Sequence, residues 1–186
     1  KAKGELYQYL RQQDGFVFVN ADDPSLIEIS LNLKHKQSFG LKEDSNADIH
    51  FRFIANPGNT GFVIQDRNSA RKISSSLFGH YNALNLLAAY TVGKHFGVDE
   101  NVLTQRLENF VSGSNRSEVI HRNGCTIIKD AYNANPSSME LAVEAFSNQY
   151  PEGWVILGDM KELGADTASA QQQIAALVQV KKFEKI

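Results

Sequence analysis

Two short segments of this 186-residue chain concentrate side chains that can hydrogen-bond or pair in charge with a ligand. The first is Asp130-Ala131-Tyr132-Asn133-Ala134-Asn135-Pro136, and the second is Gly158-Asp159-Met160-Lys161-Glu162-Leu163-Gly164. Each follows an apolar run that predicts a β-strand. Open parallel sheets bind ligands beyond the carboxyl ends of their strands, so both segments are candidate binding loops.

The first segment offers an acid, Asp130, directly after a strand. A carboxylate there can accept hydrogen bonds from two sugar hydroxyls, and the amino terminus of the following helix favours a phosphate. Helix capping alone would explain Asn135 and Pro136. It does not explain Asp130, Tyr132 and Asn133 together, which favours a loop that contacts a nucleotide. For the second segment, with Asp159, binding of a polar substrate competes with an ordinary glycine-punctuated surface loop.

Three further side chains could contact a nucleotide. Asn82 and Asn85 lie three residues apart at the start of a predicted helix, and an amide group presents the donor and acceptor that the edge of adenine requires. Capping is the alternative for Asn82. Arg116 has a planar guanidinium group that can bind phosphate oxygens, although a single arginine is usually a solvated surface residue.

The elements that would position these residues fall into two regions. Residues 1–12 and 23–33 predict helices around a buried strand at 16–19, and residues 37–74 predict a small antiparallel excursion with a hairpin at Asn56-Pro57-Gly58-Asn59. Helices are predicted at 79–96 and 99–110, followed by a linker at 111–115. Beyond it the pattern predicts strands at 118–121, 126–129 and 154–157 that alternate with helices at 136–149 and from about 167. This alternation is typical of a parallel, Rossmann-like sheet.

Composition limits the kinds of partner. The formal net charge of −2 provides no basic field for nucleic acid or an anionic membrane. No apolar run is long enough to span a bilayer. The single cysteine, Cys125, is expected in the core and fits a reducing compartment, so we expect a cytoplasmic protein. The chain contains no G-x-x-x-x-G-K-[ST] loop for ATP phosphates, and both ends interrupt predicted elements, so we expect a fragment.

Three motifs together resemble the Mur ligases, the ATP-dependent enzymes that build the peptide stem of peptidoglycan. The runs D-A-Y-N-A-N-P-S-S-M and L-G-D-M-K-E-L-G resemble the branch that adds D-alanyl-D-alanine to UDP-N-acetylmuramoyl-tripeptide. The pattern G-x-x-N-x-x-N-x-x-A-A is shared more widely, including with folylpolyglutamate synthases. The resemblance implies an α/β fold in which residues 1–112 are the latter part of a central ATP-binding domain. Residues 113–186 would be an incomplete Rossmann-like C-terminal domain.

The resemblance also implies roles for individual residues. Asn82 and Asn85 would contact adenine, Asp130 the ribose and Arg116 the phosphates, while Asn133 and Asn135 would line the cleft. Lys3 matches a lysine that is carbamylated, and its carbamate oxygens would suit Mg²⁺. ATP and Mg²⁺ are therefore the expected cofactors, and we expect a monomer.

Two residues depart from the family pattern. Tyr81 stands where histidine usually precedes the first asparagine, and Gln171 stands where histidine is common. The accepted peptide could carry lysine or diaminopimelate as its third residue. The alternatives are another ligase of the superfamily, of the muropeptide-recycling or folylpolyglutamate synthase type, and a nucleotide-binding module without catalysis.

Overall fold

The structure is a computed structural model that describes residues 2–55, 61–113, 115–161, 163–181 and 183. It divides into two compact units. The first comprises Lys1–Ile54, Val63–Ser75 and Asn82–Asn109, and the second comprises Ala55–Phe62, Ser76–Tyr81 and Phe110–Ile186. The predicted hairpin at residues 56–59 lies outside the described residues.

The first unit contains most of a five-stranded sheet and four helices. The strands are β1 (Phe16–Asn20), β2 (His35–Gly40), β3 (Ile49–Ala55), β4 (Phe62–Asp66) and β5 (Lys72–Ser75), in the spatial order β1-β2-β3-β4-β5. The helices are α1 (Ala2–Gln12), α2 (Pro24–Ser30), α3 (His80–His95) and α4 (Glu100–Glu108). Asp23 and Asp99 cap α2 and α4 by accepting hydrogen bonds from backbone N–H groups of the first turn.

The pairing of β2 corrects the first part of the predicted antiparallel excursion. Strand β2 runs parallel to β1, with Phe16 opposite His35, and parallel to β3, with Phe39 opposite Ile49. Residues 35–55 are therefore part of the main sheet. Strand β2 is not predicted by its sequence, HKQSFG, which has little apolar character. Its backbone hydrogen bonds to two neighbouring strands stabilise it instead.

The core of the first unit lies between its sheet and α3. Phe51 on β3 and Tyr90 on α3 are both almost fully buried, and their rings meet edge to face with centroids 5.2 Å apart. Ile64 on β4, Ile73 on β5 and Leu87 on α3 are fully buried as well. Burial of each such side chain contributes about 1.5–3 kcal/mol. On β1 only Val19 is fully buried, so the expectation of a buried strand there is wrong for most of its residues.

The second unit begins with a hairpin. Strands β6 (Glu118–Arg122) and β7 (Cys125–Lys129) are antiparallel, with Glu118 opposite Lys129. Asn123 and Gly124 form the connection with positive φ angles of 51° and 77°. Such a two-residue turn joins antiparallel strands only, which corrects the parallel arrangement expected for these two strands. Cys125 is exposed, so its predicted core position is also wrong.

Two helices pack together after the hairpin. They are α5 (Pro136–Gln149) and α6 (Thr167–Lys181), the latter preceded by a short 3₁₀ helix at Gly164–Asp166. Val143 of α5 is buried in one cluster with three residues of α6, namely Ala170, Ile174 and Val178. Residues 154–157, predicted to form a strand, include only a single bridge residue, Trp154, and Ile156 is 95% exposed. The predicted strand is therefore absent from this described segment.

The fold class is confirmed as mixed α/β with a sheet that contains parallel strands. Among the described helices, none combines the length and apolar character needed to cross a membrane.

Candidate functional site

Asp130, at the end of β7, is held by two hydroxyl groups of the same unit. The Ser117 hydroxyl donates to Oδ2 of Asp130 at 3.1 Å, and the Tyr81 hydroxyl lies 3.4 Å from the same oxygen. The two hydroxyls are 2.8 Å apart. A chain in which Tyr81 donates to Ser117 and Ser117 donates to the carboxylate satisfies these distances with one proton per bond.

The pKa of Tyr81 is raised to about 12, chiefly by burial. Its hydrogen bond with Ser117 opposes this rise, whereas the negative charge of Asp130 adds to it. A buried phenolate would lose its hydration, so the neutral phenol is favoured. Tyr81 therefore remains a hydrogen-bond donor across the physiological pH range.

The register of the hairpin explains why residues before β6 meet residues after β7. Glu118 faces Lys129, so the preceding residues lie beside the loop that follows β7. The carbonyl oxygen of Asn115 accepts hydrogen bonds from the backbone N–H groups of Ala131 at 2.7 Å and Tyr132 at 3.1 Å. These two backbone hydrogen bonds hold the candidate loop against the segment that precedes the hairpin.

Arg116 contacts the same loop through its side chain. Its guanidinium carbon lies 3.7 Å from the centroid of the Tyr132 ring, a cation–π contact. Both side chains are exposed, so the contact is worth about 0.5–1 kcal/mol. Tyr132 thereby holds a positive group beside the candidate loop, and the predicted phosphate contact of Arg116 stays a prediction.

A cavity of about 520 Å³ opens beside these residues in the second unit. Its polar lining includes four predicted site residues: Asp130, Tyr132, Asn133 and Asp159. The apolar lining comes largely from α5 and residues 154–157, and includes Met139, Val143, Phe146, Val155 and Leu157. Apolar walls with a few polar groups at one side are typical of small-molecule sites.

Asn135 has a role in the fold. Its side-chain oxygen accepts a hydrogen bond from the Ser138 N–H at 2.9 Å, and the Ser138 hydroxyl accepts one from the Asn135 N–H. This reciprocal capping box fixes the start of α5. The capping interpretation of Asn135 is therefore confirmed, and Asn135 is not among the residues that line the cavity.

The remaining predicted residues lie in the first unit. Asn82 and Asn85 are on one face of α3, where the Asn85 amide donates to the Asn82 side-chain oxygen at 3.3 Å. The backbone of Lys3 is in α1, but its side chain lies outside the described residues. In the described part of the chain, no group of three or more histidine, cysteine, aspartate or glutamate residues is arranged to hold a metal ion.

Sequence reasoning missed two residues of the Asp130 network. Ser117 belongs to no motif, and Tyr81 is noted in the sequence only as a departure from a family pattern. The hairpin register that brings Ser117 opposite Asp130 could have been anticipated from the Asn123-Gly124 turn.

Comparisons with known proteins agree with these observations. The family model described as the Mur ligase middle domain matches residues 1–93, and that of the Mur ligase glutamate ligase domain matches residues 115–186. The UDP-N-acetylmuramoyl-tripeptide–D-alanyl-D-alanine ligase of Bacillus subtilis is 30% identical over 189 residues, which cover 100% of this chain and 40% of the relative. The chain spans about 40% of the length of the curated relatives it matches first.

Solved structures show the same fold. A MurF crystal structure from Acinetobacter baumannii has a TM-score of 0.76 at 22% identity, covering 99% of this chain and 45% of that one. MurF from Thermotoga maritima, in complex with ADP, has a TM-score of 0.74 at 22% identity, covering 89% and 38%. With family models matching in both halves, this chain belongs to the Mur ligase family.

Proposed function

We propose that this chain is part of an ATP-dependent ligase that adds D-alanyl-D-alanine to UDP-N-acetylmuramoyl-tripeptide during peptidoglycan synthesis. The observation that carries the proposal is the Asp130 loop, which hydrogen bonds hold at the edge of a cavity. The chain is related along its whole length to UDP-N-acetylmuramoyl-tripeptide–D-alanyl-D-alanine ligases. Because the chain spans about 40% of those relatives, the activity is proposed for the whole protein. The chain alone is expected to be inactive.

The reaction we propose is amide formation through an acyl phosphate. A carboxylate oxygen of the tripeptide would attack the γ-phosphate of ATP, and ADP would leave. The amine of D-alanyl-D-alanine would then attack the acyl carbon, displace phosphate and lose a proton. A closed site would exclude water and protect the acyl phosphate from hydrolysis.

The residues of this chain would bind and orient ATP. The hydroxyls of Ser117 and Tyr81 both approach Oδ2 of Asp130, whereas Oδ1 accepts no hydrogen bond among the described residues, so Oδ1 fits ribose hydroxyls. Asn82 and Asn85 would read the adenine edge and Arg116 would bind phosphate oxygens. Tyr132, Asn133 and Asp159 would line the cleft, and Asn135 would contribute by fixing the start of α5 beside it.

Lys3 would contribute to a magnesium site as a carbamate. Mg²⁺ usually takes one or two carboxylate-like ligands, completes its shell with substrate phosphates and water, and offsets phosphate charge. One carbamate from this chain therefore fits such a site, even though the described residues contain no cluster of three ligands.

We further propose that residues 1–112 belong to the central ATP-binding domain and residues 113–186 to a Rossmann-like C-terminal domain. The family matches at 1–93 and 115–186 support this division. The UDP-linked substrate is an intracellular building block, so we propose a cytoplasmic enzyme, and we propose that it acts as a monomer.

The decisive experiment uses the whole protein with UDP-N-acetylmuramoyl-tripeptide, D-alanyl-D-alanine and ATP. Phosphate should appear together with the pentapeptide product, and omission of the dipeptide should suppress both. Glutamate with a folate serves as the competing substrate pair. No phosphate release, or a preference for the folate pair, would contradict the proposal.

Asp130→Ala tests the ribose contact. Loss of about 1–3 kcal/mol of charge-assisted hydrogen bonding should raise the KM for ATP by roughly five- to 150-fold, while the KM for the dipeptide changes little. Equal effects on both substrates would remove the ribose role.

Calorimetry on the 186-residue chain with ATP and Mg²⁺ tests how much of the site the chain carries. Because its sequence contains no phosphate-binding G-K-[ST] loop, we expect weak or undetectable binding. Tight binding would show that the nucleotide site is misassigned.

A further inference from the structure

Two residues outside the recognised motifs converge on one oxygen of Asp130. Ser117 and Tyr81 reach Oδ2 at 3.1 Å and 3.4 Å and contact each other at 2.8 Å. An exposed aspartate without such partners samples several side-chain rotamers, and ordering it on ligand binding costs free energy. The two hydroxyls fix one oxygen in advance and leave the other for a ligand.

The backbone at Ser117 is held in a conformation that serine rarely adopts. Ser117 is 6% exposed and has a φ angle of +47°, in the left-handed region that favours glycine. Such strain persists where the surrounding structure requires it, and it is concentrated at functional sites. Glycine would relieve this strain but would lack the hydroxyl, so the serine side chain is the feature that needs an explanation.

The placement of the Tyr81 ring depends on an unusual backbone conformation at Gly79. Gly79 has a φ angle of +88°, and a Cβ atom added there would overlap the ring of Tyr81. Gly79 therefore gives the ring the space to fold back. Tyr81 also remains a neutral donor over the physiological pH range because burial raises its pKa to about 12.

We propose that Ser117 and Tyr81 are positioning residues that preorganise the Asp130 carboxylate for the ribose hydroxyls of a nucleotide. This rests on the proposed function, which gives Asp130 its ribose contact. The alternative is a purely structural network that ties the two ends of the hairpin together. The two differ in one respect, since only positioning makes the effect of Ser117 and Tyr81 depend on the ribose hydroxyls.

The test compares equilibrium binding of ATP and 2′,3′-dideoxy-ATP to the whole protein by calorimetry, which does not require turnover. Tyr81→Phe and Ser117→Gly should each weaken ATP binding by about five- to tenfold, the size expected for one lost hydrogen bond. Both should bind dideoxy-ATP as the unchanged protein does. Tyr9→Phe, which removes a hydroxyl from an exposed tyrosine of α1, is the matched control and should change neither affinity.

Ser117→Gly also guards against a folding artefact. Glycine suits the positive φ angle of this position. The melting temperature of the Ser117→Gly variant should therefore be equal to or higher than that of the unchanged protein, even though its ATP binding weakens. A lower melting temperature with equal weakening for both nucleotides would mean a structural role and would overturn the proposal.

Asp130→Ala distinguishes a failure of the ribose role of Asp130 from a failure of the positioning role of Ser117 and Tyr81. If it abolishes the preference for ATP over dideoxy-ATP while Tyr81→Phe and Ser117→Gly leave that preference intact, only the positioning proposal fails. If Asp130→Ala leaves the preference intact, the ribose role fails and the positioning proposal fails with it. Absence of nucleotide binding by the unchanged whole protein would overturn both.

Discussion

The two units of the chain differ in where their exposed apolar side chains lie. Both units bury large residues, such as Leu87 and Tyr90 in the first and Phe78 in the second. In the second unit, which holds most of the predicted site, exposed apolar side chains such as Trp154 and Ile156 line a cavity beside polar groups. Buried apolar residues supply stability, whereas accessible apolar surface beside polar groups is typical of binding regions. We therefore expect fully buried residues such as Leu87 to govern stability and the exposed apolar residues of the second unit to contact ligands.

The largest expected effect is in the first core. Leu87→Ala should lower the free energy of unfolding of the first unit by about 2–5 kcal/mol, because it leaves a cavity in a fully buried place. Amide hydrogen exchange followed by mass spectrometry would report this as faster exchange in peptides from α3. Ile156→Ala is the matched control and should cost less than about 0.5 kcal/mol. Similar losses of unfolding free energy in Leu87→Ala and Ile156→Ala would contradict the expected difference between buried and exposed residues.

An intermediate effect is expected at the start of α5. Asn135→Ala removes both the cap and its side of the capping box, and should destabilise the second unit by about 1 kcal/mol. Urea unfolding followed by the emission of Trp154, the single tryptophan, measures this unit. The neighbouring Asn133→Ala controls for loss of an exposed amide. If Asn133→Ala lowers the free energy of unfolding as much as Asn135→Ala does, loss of the cap is not the cause of the destabilisation.

The smallest effect concerns an ion-pair group in the first unit. Glu100 pairs with Lys94 at 2.6 Å and with Arg71 at 2.8 Å, and the hydrogen bond from Lys94 is the main cause that lowers the pKa of Glu100. The unfolded chain binds this proton more readily, so the stabilisation is complete above the usual glutamate pKa. It is lost as the pH falls through the lowered folded value.

Because these side chains are partly exposed, solvent screening limits the contribution to about 0.2–1 kcal/mol. The difference in unfolding free energy between the unchanged chain and Glu100→Gln should therefore shrink as the solution is acidified. High salt should shrink it as well. A difference that stays constant with pH would show that the pair does not stabilise the unit.

Local signals allowed most helices to be predicted from sequence, while strand pairing required distant residues. Asp23, Asp99 and Asn135 cap helices that begin where expected. Strand β2 was missed because its stability comes from neighbours on both sides and not from its own apolar residues. The alternation of strands and helices suggested parallel pairing for β6 and β7, although the Asn123-Gly124 turn between them requires a hairpin.

The same contrast between local signals and distant contacts holds for the candidate site. The motifs led to Asp130, Tyr132, Asn133 and Asp159, which line one cavity. They did not lead to Ser117, because its place beside Asp130 follows from the register of the hairpin. Residues that contact a ligand have a recognisable pattern, whereas residues that hold those side chains are found only once the strands are paired.

Trp154 gives the cavity an optical property. It lines the cavity, is 60% exposed and is the single tryptophan of the chain. Its emission therefore comes from one place and depends on how much water reaches the indole ring. A molecule that enters the cavity would displace some of that water and shift the emission to shorter wavelengths. The chain thus carries a built-in fluorescent probe with which ligands can be screened without a label.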